Sequence, residues 1–178
     1  MKLIFPEERF LDSYEEARKE FRARGIKGFG FLGTPRDEIL PRILDAHTGT
    51  RLKPGYVKAT QLRLVEEDDF IGEISIRHSL TDALLRYGGK IGYWVRCSCW
   101  GQDHGTRMLS EALTYARQEM SLFRVLITCD DDNPGSARVI KKAAAFCRIK
   151  STTISTAIPF SPDATGLSCK TSLRHWGH

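Results

Sequence analysis

The sequence predicts a single α/β domain over residues 1–178, in which strands and helices alternate along the chain. Residues 60–66 and 70–77 are apolar or β-branched at alternate positions and are separated by an acidic tip, which is typical of a β-hairpin. Residues 91–119 then follow the order strand, polar loop, helix, and residues 123–145 repeat it. Helices that alternate with strands pack on the faces of one sheet, and a chain of this length suits one core.

Two helices are predicted before the hairpin. Ser13 and Glu16 have the spacing of a capping box, which indicates a first helix at about 13–24. A glycine-rich stretch follows, and residues 34–35 supply a threonine cap and a proline at the first helical position of a second helix. We expect Pro41 to disturb that helix on its way towards His47, because proline lacks the N–H of a helical hydrogen bond.

The elements after the hairpin follow from hydrophobic spacing and from the glycine and proline residues between them. They are a helical turn at 80–86, a strand at 90–96, a helix at 105–120, a strand at 123–128, a helix at 134–145 and a terminal hairpin formed by 151–158 and 167–176.

The composition is that of an ordinary soluble protein, with 41% hydrophobic and 28% charged residues. No apolar run is long enough to span a membrane, and the N-terminus becomes acidic too early for a signal peptide, so a cytoplasmic location is predicted. Five cysteines without paired spacing indicate reduced thiols. Cys97, Cys99 and His104 do not complete a tetrahedral ligand set, and no metal site is expected.

The net charge of +5 is concentrated near the C-terminus, where seven basic residues and one acidic residue follow position 137. Such a region attracts anions through its long-range field. We find no aromatic stacking platform, zinc finger or helix-turn-helix pattern, so no specific nucleic-acid partner and no membrane partner are predicted.

The order of elements and four local sequences resemble the GNAT N-acetyltransferase superfamily, and more narrowly a bacterial group of predicted acetyltransferases. These sequences lie at 70–78, 91–96, 105–109 and 132–142. The resemblance implies a mixed, mostly antiparallel central sheet with a splayed strand pair, flanked by helices. It also implies acetyl-CoA as co-substrate, lying in the gap between the splayed strands.

The resemblance places the pyrophosphate-binding loop at 100–105, at the start of the following helix, where dipole and unpaired N–H groups favour negative charge. Val95 is expected to polarise the thioester carbonyl through its backbone N–H. The implied cofactor-binding residues are Val95, Arg96, Gly101, Gln102, Asp103, His104, Gly105, Thr106, Asn133 and Ser136. Asn133 is expected both to contact the pantetheine arm and to cap the last helix, and Ser136 to cap it.

Two positions of the loop depart from the family pattern. Trp100 stands where a basic or amide side chain is usual, and Asp103 stands where glycine is usual, so a negative charge points towards a negative ligand. Gln102, His104 and Thr106 offer compensating donors, although His104 is equally well explained as an exposed residue at a helix start. Ile140 occupies the usual place of a tyrosine general acid, which excludes the tyrosine mechanism.

Three residues are candidates for the catalytic base: Glu73, His78 and Tyr93. Strand alternation places Glu73 and Arg77 on one face and two isoleucines on the other, which gives Glu73 a polar side. A salt bridge between Glu73 and Arg77 is an alternative explanation of that carboxylate. Lys90 is a further candidate for the wall of the acceptor cleft.

These observations predict an acetyl-CoA-dependent N-acetyltransferase that transfers the acetyl group directly to a small-molecule or protein amine. The alternative is a catalytically impaired GNAT-fold binding or regulatory module with weakened CoA binding. The expected partner is a small-molecule or peptide amine acceptor, and the sequence leaves open whether the chain forms a homodimer.

Overall fold

The computed structural model describes residues 1–27, 30–130, 132–146 and 153–157 of the chain. Its four α-helices within these ranges are α1 (Leu11–Ala23), α2 (Arg36–Thr48), α3 (His104–Met120) and α4 (Pro134–Phe146). The strands described are β1 (Lys2–Ile4), β2 (Ala59–Glu66), β3 (Asp69–Arg77), β4 (Ile91–Val95), β5 (Arg124–Thr128) and β6 (Thr153–Ala157).

The strands form one mixed sheet in which they lie in chain order, β1 to β6. The pairs from β1 to β4 are antiparallel, whereas β5 pairs in parallel with both β4 and β6. Five residue pairs register β3 with β4, but only Ile91 and Ile127 register β4 with β5. The two parallel strands therefore separate after their first contact. The predicted fold class, with its splayed strand pair and flanking helices, is confirmed.

Gly89 makes the single contact between β4 and β5 feasible. Its φ is +59°, and a Cβ at this position would lie 2.7 Å from the carbonyl oxygen of Leu126. The next residue, Lys90, donates its backbone N–H to the same carbonyl at 2.6 Å. A side chain at position 89 would push β4 away from β5, so glycine is required here.

Helices cover both faces of the sheet, and each face has its own apolar cluster. On one face α3 packs against β2, β3 and β4 through residues such as Leu62, Ile74 and Leu109. On the other face α1 and α2 pack through residues such as Tyr14, Ile39 and Trp94. The sheet is thus the middle of three layers, as expected for strands buried between helices.

Side chains of β3 alternate between the two faces as predicted. Ile74 and Ile76 belong to the cluster beneath α3, whereas Glu73 and Arg77 lie on the other face and line a cavity there. The cross-strand partners of Glu73 are Arg63 on β2 and Trp94 on β4. This polar row is the part of the fold that bears on function.

The predicted helix starts need correction. α1 begins at Leu11, after a 3-10 turn over Glu8–Phe10, so Ser13 lies within the helix and does not cap it. Its hydroxyl instead accepts the backbone N–H of Phe70 at 2.9 Å. α2 begins at Arg36 with Pro35 as the N-cap, one residue later than predicted. At α1 a tertiary contact of Ser13 takes the place of local capping, whereas the offset at α2 is within the one or two residues by which helix ends vary.

Other boundaries differ from the predictions in smaller ways. Pro41 lies inside an uninterrupted α2, and α4 continues through the alanine run to Phe146. The predicted helical turn at 80–86 is a π-helical turn over Leu84–Gly88. β1 was not predicted, because three residues carry too little periodicity. A strand does lie within 151–158, but it pairs with β5, and 167–176 lies outside the described residues.

Within the described ranges, no helix combines the length and the apolar character needed to cross a membrane.

Candidate functional site

The gap between β4 and β5 exposes the backbone of Val95. Arg96 donates its N–H to the carbonyl of Ile71 on β3, at 2.8 Å. In an antiparallel pair consecutive residues direct their backbone groups to opposite sides, so the N–H and C=O of Val95 point away from β3. Because β4 and β5 register only at Ile91, Val95 faces the open part of the gap.

The loop after β4 ends at an uncapped helix N-terminus. Asp103 precedes α3 in a left-handed conformation, with φ of +59°, and no side chain caps the helix there. The first intrahelical donor is Arg107, whose N–H contacts the carbonyl of Asp103 at 3.1 Å. The N–H groups of residues 104–106 therefore lack intrahelical partners, which suits an anion.

Asp103 does not carry an isolated negative charge. Lys142 on α4 contacts its Oδ1 at 2.7 Å, and this hydrogen bond lowers the pKa of Asp103, with a smaller contribution from the charge of Arg138. The loop therefore presents an ion pair, with a second cation of α4 close by. The negative charge of Asp103 is therefore paired with a cation of α4.

Of the three proposed compensating donors, Gln102 and His104 already have other contacts, and the Thr106 hydroxyl is buried. Gln102 donates to the carbonyl of Ser98 at 3.2 Å and contacts Nε2 of His104 through Oε1, also at 3.2 Å. The side chain of Thr106 is buried, and its hydroxyl has no partner among the described residues. Thr106 can therefore offer a ligand its backbone N–H, while its side chain faces the protein interior.

Gly105 allows α3 and α4 to approach each other beside this loop. A Cβ at Gly105 would lie 3.2 Å from Cγ2 of Val139 and 3.6 Å from Cγ2 of Val95. The absence of a side chain thus brings the start of α3 close to both α4 and the end of β4. Gly101, with φ of +79°, supplies the preceding turn.

Trp100 contacts the splayed strand. Its indole Nε1 donates to the carbonyl of Val95 at 2.8 Å, and the guanidinium of Arg24 lies 5.5 Å from the ring centre. The ring remains half exposed. Trp100 is therefore hydrogen-bonded to the carbonyl of Val95, one of the two backbone groups that Val95 directs towards the gap.

Arg96, which the resemblance placed among the cofactor residues, faces away from the gap. Its Nε contacts Glu20 of α1 at 2.7 Å and its Nη1 contacts Ser13 at 3.1 Å. Its backbone N–H is bound to β3, as described above. We therefore remove Arg96 from the cofactor-binding set, because the side chain ties β4 to α1.

The start of α4 assigns Asn133 and Ser136 different roles. Asn133 caps the helix, since its Oδ1 accepts the N–H of Ser136 at 2.9 Å. The Ser136 hydroxyl lies 2.8 Å from the Tyr93 hydroxyl and does not cap, which corrects the prediction for Ser136. Burial raises the pKa of Tyr93 to about 12, so this phenol is protonated at neutral pH and is unsuited to act as a base.

A cavity of about 880 Å³ lies on the opposite face of the sheet, between β2, β3, β4, α2 and the loops on either side of α2. One row of its floor consists of Gln61, Ser75 and Gly92, which are cross-strand neighbours. Because β4 forms both this floor and one edge of the gap, the cavity and the gap meet at this strand. An acceptor in the cavity would thus adjoin a cofactor in the gap.

Glu73 lies at the inner end of the cavity and is 2% exposed. Its Oε2 contacts Nε of Arg63 at 3.2 Å, and its Oε1 contacts Nε1 of Trp94 at 3.4 Å. Burial raises the pKa of Glu73, while the charge of Arg63 opposes this shift. The predicted pairing with Arg77 is wrong, because Arg77 binds the carbonyls of Gly88 and Gly89 instead.

His78 and Lys90 do not belong to the cavity lining among the described residues. His78 lies 2.9 Å from the hydroxyl of Thr60, and burial together with the charge of Lys58 lowers its pKa. Lys90 donates to the carbonyl of His78 at 2.8 Å. Of the three candidate bases, the structure thus brings Glu73 to the cavity. Tyr93 belongs to the strand that borders the cavity, but its side chain packs on the α3 face and its hydroxyl contacts Ser136 of α4, and His78 lies outside the lining.

Sequence reasoning missed Arg63 and Lys142. The hairpin brings this part of β2 beside Glu73, but the turn at 67–68 alone would pair Glu73 with residue 62. A bulge between Leu64 and Val65 shifts the register by one residue and makes Arg63 the partner. Lys142 has no comparable local signal, since 39 positions separate it from Asp103. Among the described residues no group of three or more His, Cys, Asp or Glu side chains could hold a metal ion.

The gap, the uncapped start of α3 and the adjoining cavity agree with what a comparison with known families finds. A family model for the acetyltransferase (GNAT) domain matches residues 16–145, from α1 to near the end of α4. No curated protein and no solved structure gives a significant match to the chain. The matched range covers most of the chain and contains both the gap and the loop that follows β4. The chain therefore belongs to the GNAT acetyltransferase family.

Proposed function

We propose that this protein is an acetyl-CoA-dependent N-acetyltransferase that acetylates the amine of a small molecule or peptide directly. The observation that carries the proposal is the continuity of three features along β4: the cavity, the gap towards β5, and the uncapped N-terminus of α3. Acetyl-CoA supplies the acetyl group as a thioester, whose carbonyl carbon an uncharged amine can attack.

The residues of the gap and loop fit the diphosphate and pantetheine parts of CoA. The N–H groups of 104–106 are donors at the positive end of a helix dipole. Lys142 neutralises Asp103, and Arg138 adds a positive charge nearby. The N–H of Val95 faces the gap and would donate to a thioester oxygen, a role that backbone donors perform well because they are fixed in place.

Two side chains would handle protons. Glu73 lines the cavity and has a pKa raised by burial, so it would accept a proton from the acceptor amine, directly or through water. Tyr93 is protonated at neutral pH and lies beside α4 at the edge of the gap, so it would donate a proton to the departing thiolate. Together these residues would replace the tyrosine that Ile140 does not provide.

Thermal unfolding with acetyl-CoA tests cofactor binding. A ligand at 100 times its Kd stabilises the fold by about 2.7 kcal/mol, and each kcal/mol raises the Tm of a domain of this size by about 2–4 °C. We expect a Tm increase of roughly 5–11 °C under those conditions. No increase at millimolar acetyl-CoA would contradict the proposal.

Acetyl transfer itself is best measured by mass spectrometry of the acetylated amine, because cysteines of the protein would react with thiol reagents. A panel of amines should yield product that depends on both acetyl-CoA and intact Glu73. We expect Glu73→Gln to lower kcat by about 100-fold, the usual contribution of a general base. Circular dichroism should show that the variant is folded.

An impaired binding or regulatory module is the second candidate, and Trp100 favours it. The indole donates to the Val95 carbonyl at the edge of the gap, and its ring is half exposed there, which would weaken cofactor binding. In this case Trp100→Arg together with Asp103→Gly would raise CoA affinity sharply, and the unaltered protein would acetylate no amine. Turnover of acetyl-CoA with any amine would exclude this candidate.

A further inference from the structure

Among the described residues, the acidic side chains that line the cavity are paired with arginines, whereas some of the basic side chains are not. Two carboxylates line it within the described ranges, Asp45 and Glu73. Arg51 binds Asp45 through Nε at 3.0 Å and Nη2 at 2.8 Å, and Arg63 binds Glu73. Each carboxylate of the lining is therefore already matched by an arginine.

Two cations of the lining, Lys53 and Arg77, have no ion-pair partner among the described residues. A third, Arg42, pairs with Glu38 at 2.6 Å. The cavity thus has an excess of positive charge. Charged side chains that have no partner of opposite charge in the protein are suited to bind a ligand of opposite charge.

Arg77 is held in position for such a ligand. Its Nη1 donates to the carbonyls of Gly88 and Gly89, at 2.7 and 2.9 Å, which fixes the plane of the guanidinium. Nη2 lies close to Gly92, since a Cβ there would be 3.4 Å away. A fixed guanidinium with free N–H groups binds planar carboxylates and phosphates well.

Arg77 and Glu73 lie on the same face of β3, with Ser75 between them. Residues two apart on a strand are separated by about 7 Å, and residues four apart by about 13 Å. A small molecule whose acidic group is bound near Arg77 would therefore extend along β3 towards Glu73. Its amine would lie over the part of the floor where β4 borders the gap.

We propose that the acceptor amine also carries an anionic group, a carboxylate or a phosphate, which Lys53 and Arg77 bind in the cavity. The proposal rests on the proposed acetyl transfer and narrows its acceptor class. It disfavours simple polyamines, because the lining offers no unpaired carboxylate, within the described ranges, to bind a second ammonium group.

Binding measurements test the charge preference without requiring turnover. The probes are matched pairs: an amino acid and its methyl ester, phosphoethanolamine and ethanolamine, with putrescine as a dication. Calorimetry should show that the Kd of each anionic member is lower than that of its partner by at least about tenfold. Equal or tighter binding of putrescine or of the members that lack an anionic group would overturn the proposal. The two pairs also distinguish a carboxylate site from a phosphate site.

Variants locate the effect. Lys53→Met and Arg77→Lys should each weaken binding of the preferred anionic amine by about three- to tenfold, a loss typical of one charged contact, and should not weaken binding of the matched amine that lacks the anionic group. Lys2→Met removes an exposed lysine of β1 outside the cavity and should change neither. If Lys2→Met weakened binding as much as Lys53→Met, the preference would be due to overall charge and the proposal would be wrong.

Steady-state kinetics distinguish failure of this proposal from failure of the proposed function. In an active enzyme, Arg77→Lys should raise KM for the anionic amine with little change in kcat. Anion-selective binding without acetylation of any amine would reject the enzyme and support the anion site. Acetylation with a preference for polyamines or for amines that lack an anionic group would support the enzyme and reject the anion site.

Discussion

The effect of Asp103 on a negatively charged ligand depends on the residues around it. In isolation it places a carboxylate at the N-terminus of α3, where a diphosphate is expected. In the folded chain Lys142 reaches it from α4, and the hydrogen bond between them lowers the pKa of Asp103. The pair is exposed, so it contributes little to stability. Its importance lies in the local potential.

Opposite changes in CoA affinity are expected from the two members of this pair. Asp103→Asn removes the negative charge, keeps a residue that tolerates φ of +59°, and frees Lys142. Lys142→Met leaves Asp103 with the weaker influence of Arg138 alone among the cations that act on it. We expect calorimetry to show CoA binding about two- to tenfold tighter in the first variant and weaker by a similar factor in the second, as for charges interacting near a protein surface.

Lys19→Met is a suitable control, because Lys19 also forms one exposed ion pair, with Glu16 on α1. It should leave CoA affinity within about twofold of the unaltered protein, the scale of a screened distant charge. Both effects at Asp103 and Lys142 should decrease as salt is raised. Weaker binding in Asp103→Asn would show that the carboxylate supports the loop conformation or the ligand directly.

At the scale of elements, the β2–β3 hairpin follows from a clear alternation of apolar residues. It also contains the buried ion pair of Arg63 and Glu73, which the alternation alone did not reveal. Alternation correctly placed Glu73 on the polar face. Its partner required cross-strand register, which sets Arg63 opposite. Arg63 is fully buried, and its guanidinium carbon lies 4.0 Å from the ring centre of Tyr14. The hairpin therefore carries a charged pair into the layer beneath α1.

Removing one member of this pair should destabilise the fold strongly. In Arg63→Met the Glu73 carboxyl loses the cation that opposes the effect of burial on its pKa, and loss of one partner from a buried pair costs about 3–5 kcal/mol. The double variant Arg63→Met with Glu73→Gln should be less destabilised than Arg63→Met alone, because no buried charge remains. Urea denaturation measures all three free energies of unfolding.

The destabilisation caused by Arg63→Met should depend on pH in a known direction. A carboxyl group whose pKa is raised on folding favours the folded state most below its unfolded pKa, about 4.3 for Glu, and this contribution is lost as pH rises through the folded pKa. The deficit should therefore be larger at pH 8 than at pH 5. Arg51→Met, which breaks an exposed pair with Asp45, should cost less than about 1 kcal/mol. An equal deficit for Arg63→Met at both pH values would contradict the burial argument.

At the scale of the whole molecule, contacts between layers determine the positions of side chains that local sequence patterns do not predict. The order of helices and strands, the hairpin, and the strand, loop and helix around β4 all follow from local periodicity. Arg96 does not: its position in the chain suggested a cofactor contact, whereas folding brings it to Glu20, 76 residues away. Contacts of this kind depend on how α1 crosses the sheet, which local patterns do not encode.

This contact between α1 and the end of β4 should contribute to acid stability. Burial alone would raise the pKa of Glu20, but hydrogen bonds from Arg96 and from the N–H of Ser98 hold it below its usual value. A carboxyl group with a lowered pKa stabilises the fold above its unfolded pKa, about 4.3, and this contribution is lost as pH falls through the folded pKa. The unaltered protein should therefore be more stable than Glu20→Gln at pH 7, and the difference should shrink below about pH 4. Urea denaturation across this range measures the difference, with Glu16→Gln, which breaks an exposed pair on the same helix, as the matched control. If Glu16→Gln showed the same pH-dependent difference, the effect would come from the net charge of α1 and the contact with Arg96 would have no special role.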